Sequence, residues 1–236
     1  MPDHYVWLIW SIAFLIPWGI LYTIFRAHRK AMLWASVFTA PFGLTEPLFV
    51  PEYWMPPSLF DLAMRTGFDI ESVIFSFGIG GVGAVLYNVW TGSRIAQVDE
   101  EYRHQARHRH HAWAIAAPFL TFPLLYFLPW NPIYPAMVAM VVGAIATMLC
   151  RPDLKRKTWA GGLLFLAYYW VFVEGLGLFS PGYVERVWNL SDLSGILIHS
   201  TPLEELLFAC TFGMYWAGVY EHFTWRRTVE QSQSDQ

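Results

Sequence analysis

Long apolar segments separated by short polar loops recur along this chain of 236 residues, and they limit its fold more than any other feature. Apolar residues make up 56% of the sequence and charged residues only 14%, which is unlike the composition of a soluble domain. A hydrocarbon layer of ~30 Å is crossed by a helix of about 20 apolar residues. The sequence therefore predicts an all-α membrane protein, because backbone polar groups in lipid must be paired within their own segment.

Seven segments are long and apolar enough to be predicted as transmembrane helices. They are residues 5–25, 31–50, 69–90, 112–128, 133–149, 159–179 and 202–225. The first has no basic leading region and no small-residue cleavage site, so it is predicted to be a retained span. Cys150 and Cys210 fall in apolar segments and are predicted to be buried thiols rather than a disulfide.

Lysine and arginine residues lie mainly on one predicted side of the membrane. Thirteen of the fifteen fall in residues 26–30, 92–111, 151–157 and 226–236, whereas Arg65 and Arg186 fall in loops on the opposite side. Loops rich in lysine and arginine stay in the cytoplasm. This asymmetry predicts an integral membrane protein with its N-terminus outside and its C-terminus in the cytoplasm.

Residues 68–90 and 201–223 align without gaps, which indicates an internal repeat. In this alignment Glu71 falls on Glu204, Phe75 on Phe208, Gly80 on Gly213 and Tyr87 on Tyr220. Repeats in membrane proteins imply two related halves with a site at their junction. The predicted architecture is a parallel repeat of three helices plus a linking helix (3+1+3). Its parts are 1–91 (first half), 92–132 (cytoplasmic loop and linking span), 133–225 (second half) and 226–236 (a polar, disordered tail).

Carboxylates cluster near the predicted outer ends of four spans. They are Glu46, Glu71, Glu174, Glu204 and Glu205. Ionisable groups inside a membrane are costly and usually face a functional interior. Helix capping is the alternative for residues 201–205, with Thr201 as N-cap and Glu204 as the capping-box glutamate, while Asp69 is the predicted N-cap of the third span. Capping leaves Glu205 without a role.

Other chemistry is weakly represented in the sequence. It contains no glycine-rich phosphate loop, GxSxG, CxxC or aspartate-rich pyrophosphate motif. His104, His108 and His111 have helical spacing that could hold a metal, but a basic loop against anionic lipid explains them more simply, so no metal site is predicted. Glu221 and His222 are predicted to lie at the membrane interface.

The segment Pro202-Leu203-Glu204-Glu205, which opens an apolar helix and is followed by Phe208, resembles a known motif. It is similar to the P-x-E-E motif of the integral-membrane lycopene cyclase domain, found as two small subunits in some bacteria or fused in archaea and fungi. The resemblance extends over essentially the whole chain and implies a bacterial or archaeal cell membrane. The first half departs from the motif, because residues 69–72 read Asp-Ile-Glu-Ser and contain neither the proline nor the second acid.

The resemblance implies a lycopene β-cyclase, an isomerase of the intramolecular lyase type that closes the end groups of a linear carotene into β-rings. The implied catalytic residues are Glu204, Glu205 and Glu71, with Glu204 or Glu205 as proton donor. The implied supporting and substrate-binding residues are Glu46, Glu174, Tyr168, Trp170, Phe75 and Phe208. Aromatic rings beside acids suit a cationic intermediate, although aromatic side chains in a span usually serve packing alone.

The expected partners are membrane lipid and a hydrophobic polyene or isoprenoid substrate, with no nucleic acid, and homo-oligomerisation is left open. An isomerisation requires no redox cofactor by its stoichiometry, and a reduced flavin in a non-redox role stays an alternative. Two other functions fit the same sequence. One is a non-catalytic carotenoid- or lipid-binding membrane module, and the other is a divergent cyclase acting on another isoprenoid.

Overall fold

The computed structural model describes residues 3–229, and most of this range is helical. In chain order the α-helices are α1 (Val6–Ile24), α2 (Arg29–Thr39), α3 (Leu62–Thr66), α4 (Ile70–Thr91), α5 (Glu100–Arg103), α6 (His111–Tyr126), α7 (Ile133–Cys150), α8 (Lys155–Phe179), α9 (Tyr183–Val187), α10 (Leu203–Trp216) and α11 (Val219–Thr224). The 3-10 helices are Asp3–Tyr5, Arg26–His28, Ala40–Leu48, Leu59–Asp61, Ala106–His108 and Pro152–Leu154. Four short strands, β1 (Arg94–Gln97), β2 (Leu197–Ile198), β3 (Thr201–Pro202) and β4 (Arg226–Val229), form two antiparallel pairs, β1 with β4 and β2 with β3.

Four helical segments within residues 3–229 are long and apolar enough to cross a membrane. They are Asp3–Ile24, Ile70–Thr91, Ile133–Cys150 and Pro152–Phe179, and they correspond to the predicted first, third, fifth and sixth spans. The other three predicted spans are also helical, but they are shorter or interrupted. The helix α2 continues into a 3-10 helix, α6 has 16 residues and two internal prolines, and the last span is divided into α10 and α11. The count of seven spans therefore stays a prediction.

The helices α4 and α10 each pack between two other long helices. The N-terminal group consists of α1, α2 and α4, the C-terminal group consists of α7, α8 and α10, and α4 contacts both α8 and α10 across the junction. Glycine residues allow close backbone contact at two helix crossings, that of α4 with α2 and that of α10 with α8. A Cβ atom at Gly80 would lie 3.0 Å from the Ala35 carbonyl oxygen of α2, and one at Gly213 would lie 2.7 Å from the Gly161 carbonyl oxygen of α8. Small residues let helix backbones approach closely where no hydrophobic effect drives association.

The connections that precede α4 and α10 pair with each other. Trp54 and Trp188 form an antiparallel bridge, and the Asn189 amide donates to the Tyr53 carbonyl oxygen at 3.0 Å. Tyr53 and Trp54 are each only 6% exposed. The backbone pairing of the two connections therefore turns both aromatic side chains into the protein.

The starts of α4 and α10 differ in how they are capped. Asp69 accepts a hydrogen bond from the Ser72 amide at 2.5 Å, so it is the N-cap of α4 that the sequence predicts. Thr201 is not the N-cap of α10, because it lies in β3 and its hydroxyl donates to Glu174 at 2.7 Å. Glu204 accepts from the Ser194 amide instead of reaching back to cap the helix. The capping interpretation of residues 201–205 is wrong.

Several residues predicted to lie at the membrane surface or in a free tail are buried or paired. Glu221 and His222 are 0% and 1% exposed, so both side chains lie inside the protein, and their depth in a membrane stays a prediction. The Glu221 carboxylate is buried together with a cation, because the ammonium group of Lys157 lies 2.5 Å from Glu221 Oε1. The predicted polar tail begins with β4, which is paired with β1, and its residues 230–236 lie outside the described range. Both cysteines are free thiols.

Replacing Glu221 by glutamine should strongly destabilise the chain, because Lys157 is 2% exposed and would keep a buried charge without its partner. Removal of one partner of a buried ion pair costs ~3–5 kcal/mol. The change should appear as a lower thermal unfolding midpoint of the detergent-solubilised full chain.

The exposed pair of Arg65 and Asp61 supplies the matched control for this substitution. Asp61→Asn should change the free energy of unfolding by at most ~1 kcal/mol. An unchanged midpoint in the Glu221→Gln variant would contradict the structural importance of the buried pair.

Candidate functional site

An apolar cavity of about 310 Å³ lies where the N-terminal and C-terminal groups of helices meet. Its wall is built from side chains of α1, α2, α4, α6, α7, α8 and α10, of the 3-10 helix Ala40–Leu48 and of the two paired connections. Most of these side chains are aromatic or aliphatic, and they include Phe75 and Phe208, which the sequence placed beside a substrate. The acidic residues on this wall are Glu46 and Glu205.

Glu205 is held by three hydrogen-bond donors from three different segments. Tyr169 of α8 donates to Oε2 at 2.6 Å, Trp188 of the α8–α10 connection donates to Oε1 at 2.8 Å, and the Tyr53 hydroxyl also donates to Oε1. Glu205 is 4% exposed. Among the described residues no Lys, Arg or His forms an ion pair with it. Burial of a carboxyl group without a cation is tolerated only where hydrogen bonds satisfy it.

Tyr53 and Trp188 are functional-site residues that the sequence reasoning missed. The Trp188 indole also lies 3.2 Å from the Tyr53 hydroxyl, so the two side chains form one network around Glu205. Both stand in connections that were interpreted as loops outside the membrane. A signal for them was present in the sequence, since each connection immediately precedes one of the two aligned helices and carries a Tyr or Trp at nearly the same distance before it.

Glu46 is the second carboxylate of the cavity wall. It lies in the 3-10 helix Ala40–Leu48, which continues α2, and its Oε2 atom accepts a hydrogen bond from the Trp54 indole at 2.9 Å. Trp54 comes from the α2–α4 connection and is itself part of the wall. The cavity therefore carries one carboxylate from each group of helices, and each is fixed by an aromatic donor.

Glu71 and Glu204 occupy aligned positions, but neither lines the cavity. Each is almost fully buried and accepts a backbone N–H from the connection before its own helix. Glu71 accepts from Leu59 at 2.7 Å, and Glu204 accepts from Ser194 at 2.8 Å and from the Tyr134 hydroxyl at 2.9 Å. These contacts anchor the connections that deliver Tyr53 and Trp188.

Glu174, Tyr168 and Trp170 also lie outside the cavity wall. Glu174 accepts hydrogen bonds from Trp170 at 3.1 Å, from Ser200 at 3.0 Å and from Thr201 at 2.7 Å. This arrangement fixes the segment that leads into α10. The structure thus places Glu205, Glu46, Phe75 and Phe208 at one cavity and places Glu71, Glu204, Glu174, Tyr168 and Trp170 around it.

The cavity reaches the surface beside α6. Phe42 and Phe119 belong to its wall and are nevertheless 38% and 39% exposed. Their rings are stacked at a centroid distance of 6.3 Å. Both side chains are apolar, so this opening, between the 3-10 helix Ala40–Leu48 and α6, suits contact with a hydrophobic phase.

Residues 131–223 match the model of the lycopene cyclase family. This segment is a lycopene cyclase family domain. It extends from the start of α7 into α11 and includes Glu205, Tyr169 and Trp188 of the cavity network. No curated protein and no solved structure matches the chain. At the level of the family, the lycopene cyclase domain indicates an enzyme of carotenoid biosynthesis that catalyses a cyclisation.

Replacing Trp188 by phenylalanine should destabilise the lycopene cyclase domain, because it removes the indole N–H that serves Glu205 and Tyr53 together with part of the buried ring that packs against Trp54. Loss of a hydrogen bond to a buried polar group costs ~1–3 kcal/mol. Thermal unfolding of the full chain in detergent measures the change.

The same substitution at Trp130 is the control, since its indole donates to a backbone carbonyl and its side chain is 40% exposed. Trp130→Phe should stay within ~0.5 kcal/mol of the parent. Equal effects of the two substitutions would show that the Glu205 network adds nothing to stability.

Proposed function

We propose that this protein is a lycopene β-cyclase in which Glu205 delivers a proton to the end group of a linear carotene. One observation carries this proposal: a buried carboxyl group with no ion-pair partner among the described residues faces an apolar, aromatic cavity. A carbon–carbon double bond is a weak base, so it must meet an acid in a site without competing water. General acid–base catalysis by a positioned carboxyl group contributes ~10²–10⁴-fold in rate.

The hydrogen bonds around Glu205 suit a group that gains and loses a proton. A tyrosine hydroxyl can donate or accept, so Tyr53 and Tyr169 can partner Glu205 in either protonation state by rotating their hydrogen atoms. The Trp188 indole only donates, and it fixes Oε1. The proton for transfer would therefore stand on Oε2, next to Tyr169.

The reaction balances without an electron donor or acceptor. Glu205 protonates the terminal double bond, a neighbouring double bond of the same end group attacks the cation and closes a six-membered ring, and a ring carbon then loses a proton. Glu46 is the proposed proton acceptor, because it is the second carboxylate on the same wall. Loss of this proton from Glu46 to solvent and uptake of one by Glu205 after product release restore the starting state. The aromatic faces of Phe75, Phe208 and Trp216 are suited to stabilise the cation in between. No redox cofactor enters this stoichiometry.

The size of the cavity supports an end group rather than a whole carotene as its occupant. An apolar cavity of ~150 Å³ holds one benzene molecule. A volume of about 310 Å³ therefore suits a group of roughly ten carbon atoms. The remaining polyene would leave through the opening at Phe42 and Phe119 and lie in the lipid, which is also the phase that supplies such a substrate.

We also propose the seven-span 3+1+3 architecture, with the N-terminus outside and the C-terminus in the cytoplasm. Three features support two related halves. The helices α4 and α10 pack in the same way within their groups, Gly80 and Gly213 lie at corresponding crossings, and Glu71 and Glu204 both accept from the connection before their own helix. The side of the membrane follows from the distribution of lysine and arginine.

Replacing Glu205 by glutamine should lower cyclisation by ~10²–10⁴-fold, because glutamine keeps the shape and can still accept hydrogen bonds but carries no transferable proton. The measurement is the rate at which β-ring carotenes appear in a lycopene-accumulating host, determined by pigment chromatography and normalised to protein in the membrane.

Glu174→Gln is the matched control, since it makes the same chemical change at a carboxylate that lies outside the cavity wall. It should stay within ~10-fold of the parent, as should Glu204→Gln, which alters an anchor of the α8–α10 connection. Parent-like turnover of the Glu205→Gln variant would refute the proton-donor role. A parent that forms no rings but purifies with bound pigment would instead favour the carotenoid-binding module.

The proposed orientation is tested by two exposed positions in different loops. Cysteine at Asp192, in the α8–α10 connection, should react with a membrane-impermeant thiol reagent in intact cells. Cysteine at Glu101, in the α4–α6 connection, should react only after the cells are permeabilised. Labelling in the reverse order would overturn the orientation without affecting the assignment of the cavity.

A further inference from the structure

The histidine-rich segment at residues 104–111 folds partly inward, although the sequence favoured lipid contact for it. His108 is 5% exposed, and its Nδ1 atom lies 3.7 Å from the sulfur of Cys150. His111 is partly buried, and its Nδ1 atom lies 3.4 Å from the same sulfur. These two imidazoles therefore face a buried thiol and not the surface of a lipid layer.

A third helix brings another histidine to this thiol. His222 of α11 is 1% exposed, and its ring lies perpendicular to that of His111 at a centroid distance of 4.8 Å. Donor atoms of His111, Cys150 and His222 lie within 4.8 Å of one another. These residues come from the start of α6, the end of α7 and the middle of α11, so residues far apart in the sequence converge on one point.

The hydrogen bonds of His222 leave one nitrogen for a ligand. The Thr147 hydroxyl lies 3.1 Å from Nδ1, which fixes the orientation of the ring. The Nε2 atom is buried and has no hydrogen-bond partner among the described residues. A buried donor or acceptor left unpaired costs free energy, so a native site of this kind calls for an unseen partner.

We propose that His111, Cys150 and His222 bind a Zn²⁺ ion that links α6, α7 and α11. Zinc prefers tetrahedral nitrogen and thiolate ligands at about 2.0–2.1 Å and 2.3 Å. Those bond lengths place the nitrogen and sulfur ligands of one ion about 3.6 Å apart, close to the 3.4 Å between His111 and Cys150. Binding releases the thiol proton to solvent, and Thr147 supports His222 as an outer hydrogen-bond partner of a ligand.

The fourth position of the ion is bordered by His108, whose Nδ1 atom also faces the Cys150 sulfur. None of the three proposed ligands belongs to the wall of the cavity that holds Glu205. The ion is therefore independent of the proposed proton transfer. Its expected effect is to stabilise the chain by joining α11 to the α6–α7 pair.

Metal analysis of the full chain tests this site. The chain is purified in detergent with a tag that contains no histidine, stripped with a chelator, equilibrated with Zn²⁺ in a metal buffer and analysed by mass spectrometry. One zinc ion per chain and a higher thermal unfolding midpoint with Zn²⁺ are expected. Cys150→Ser and His222→Gln should each weaken zinc binding by more than the ~10–100-fold that loss of an outer partner costs.

The matched controls are Cys210→Ser, which changes the second free thiol of the chain, and His104→Gln, which changes an exposed histidine of the same loop. Both should bind zinc as the parent does. Zinc binding that survives Cys150→Ser, or that is lost equally in Cys210→Ser, would overturn the proposal.

Cobalt gives a second measurement that does not depend on the folding of any variant. Co²⁺ added to the stripped parent chain should produce a thiolate-to-cobalt charge-transfer band in the near ultraviolet and intense visible bands of a tetrahedral ion. Zn²⁺ should then remove these bands by displacement. A parent chain that shows no thiolate band at saturating Co²⁺ would refute a site containing Cys150, whatever the outcome for Glu205.

Discussion

The burial of the Glu205 carboxyl group is the constraint on which the arrangement of the two helix groups depends. A carboxyl group in an apolar environment must be satisfied by hydrogen bonds, and no single helix supplies them. Tyr169 comes from the C-terminal group, whereas Tyr53 and Trp188 come from the two connections. Glu205 can therefore be buried only when the connections pair with each other and the two groups are in contact.

Other carboxylates around the cavity maintain this arrangement. Glu71 and Glu204 anchor the connections through backbone N–H groups, and Glu174 fixes the residues that enter α10. At the opposite end of the bundle, Lys157 of α8 contacts Glu221 of α11. Glu71, Glu174, Glu204 and Glu221 are thus held by the scaffold, whereas Glu46 and Glu205 face the cavity.

This division separates the carboxylates that hold the scaffold from the pair proposed to react. Fixed aromatic donors orient Glu205 and Glu46, and in the proposed reaction neither would have to reorganise when an apolar end group enters. The exposed phenylalanines at the opening give the same cavity an apolar exit to the surface. This lateral apolar opening supports the proposed cyclisation of a lipid-soluble polyene.

The sequence by itself determined the helical membrane-type fold, the four long apolar helices and the Asp69 cap, since these follow from local composition and spacing. It also led to the lycopene cyclase family through residues 202–205. Only the tertiary structure decided which glutamate faces the cavity. Glu204 and Glu205 are neighbours in sequence, but helical geometry turns them about 100° apart, so one contacts a loop and the other the cavity. The contacts of Tyr53, Trp188 and His222 depend on chain segments that meet only in the folded protein, and no local pattern specifies such contacts.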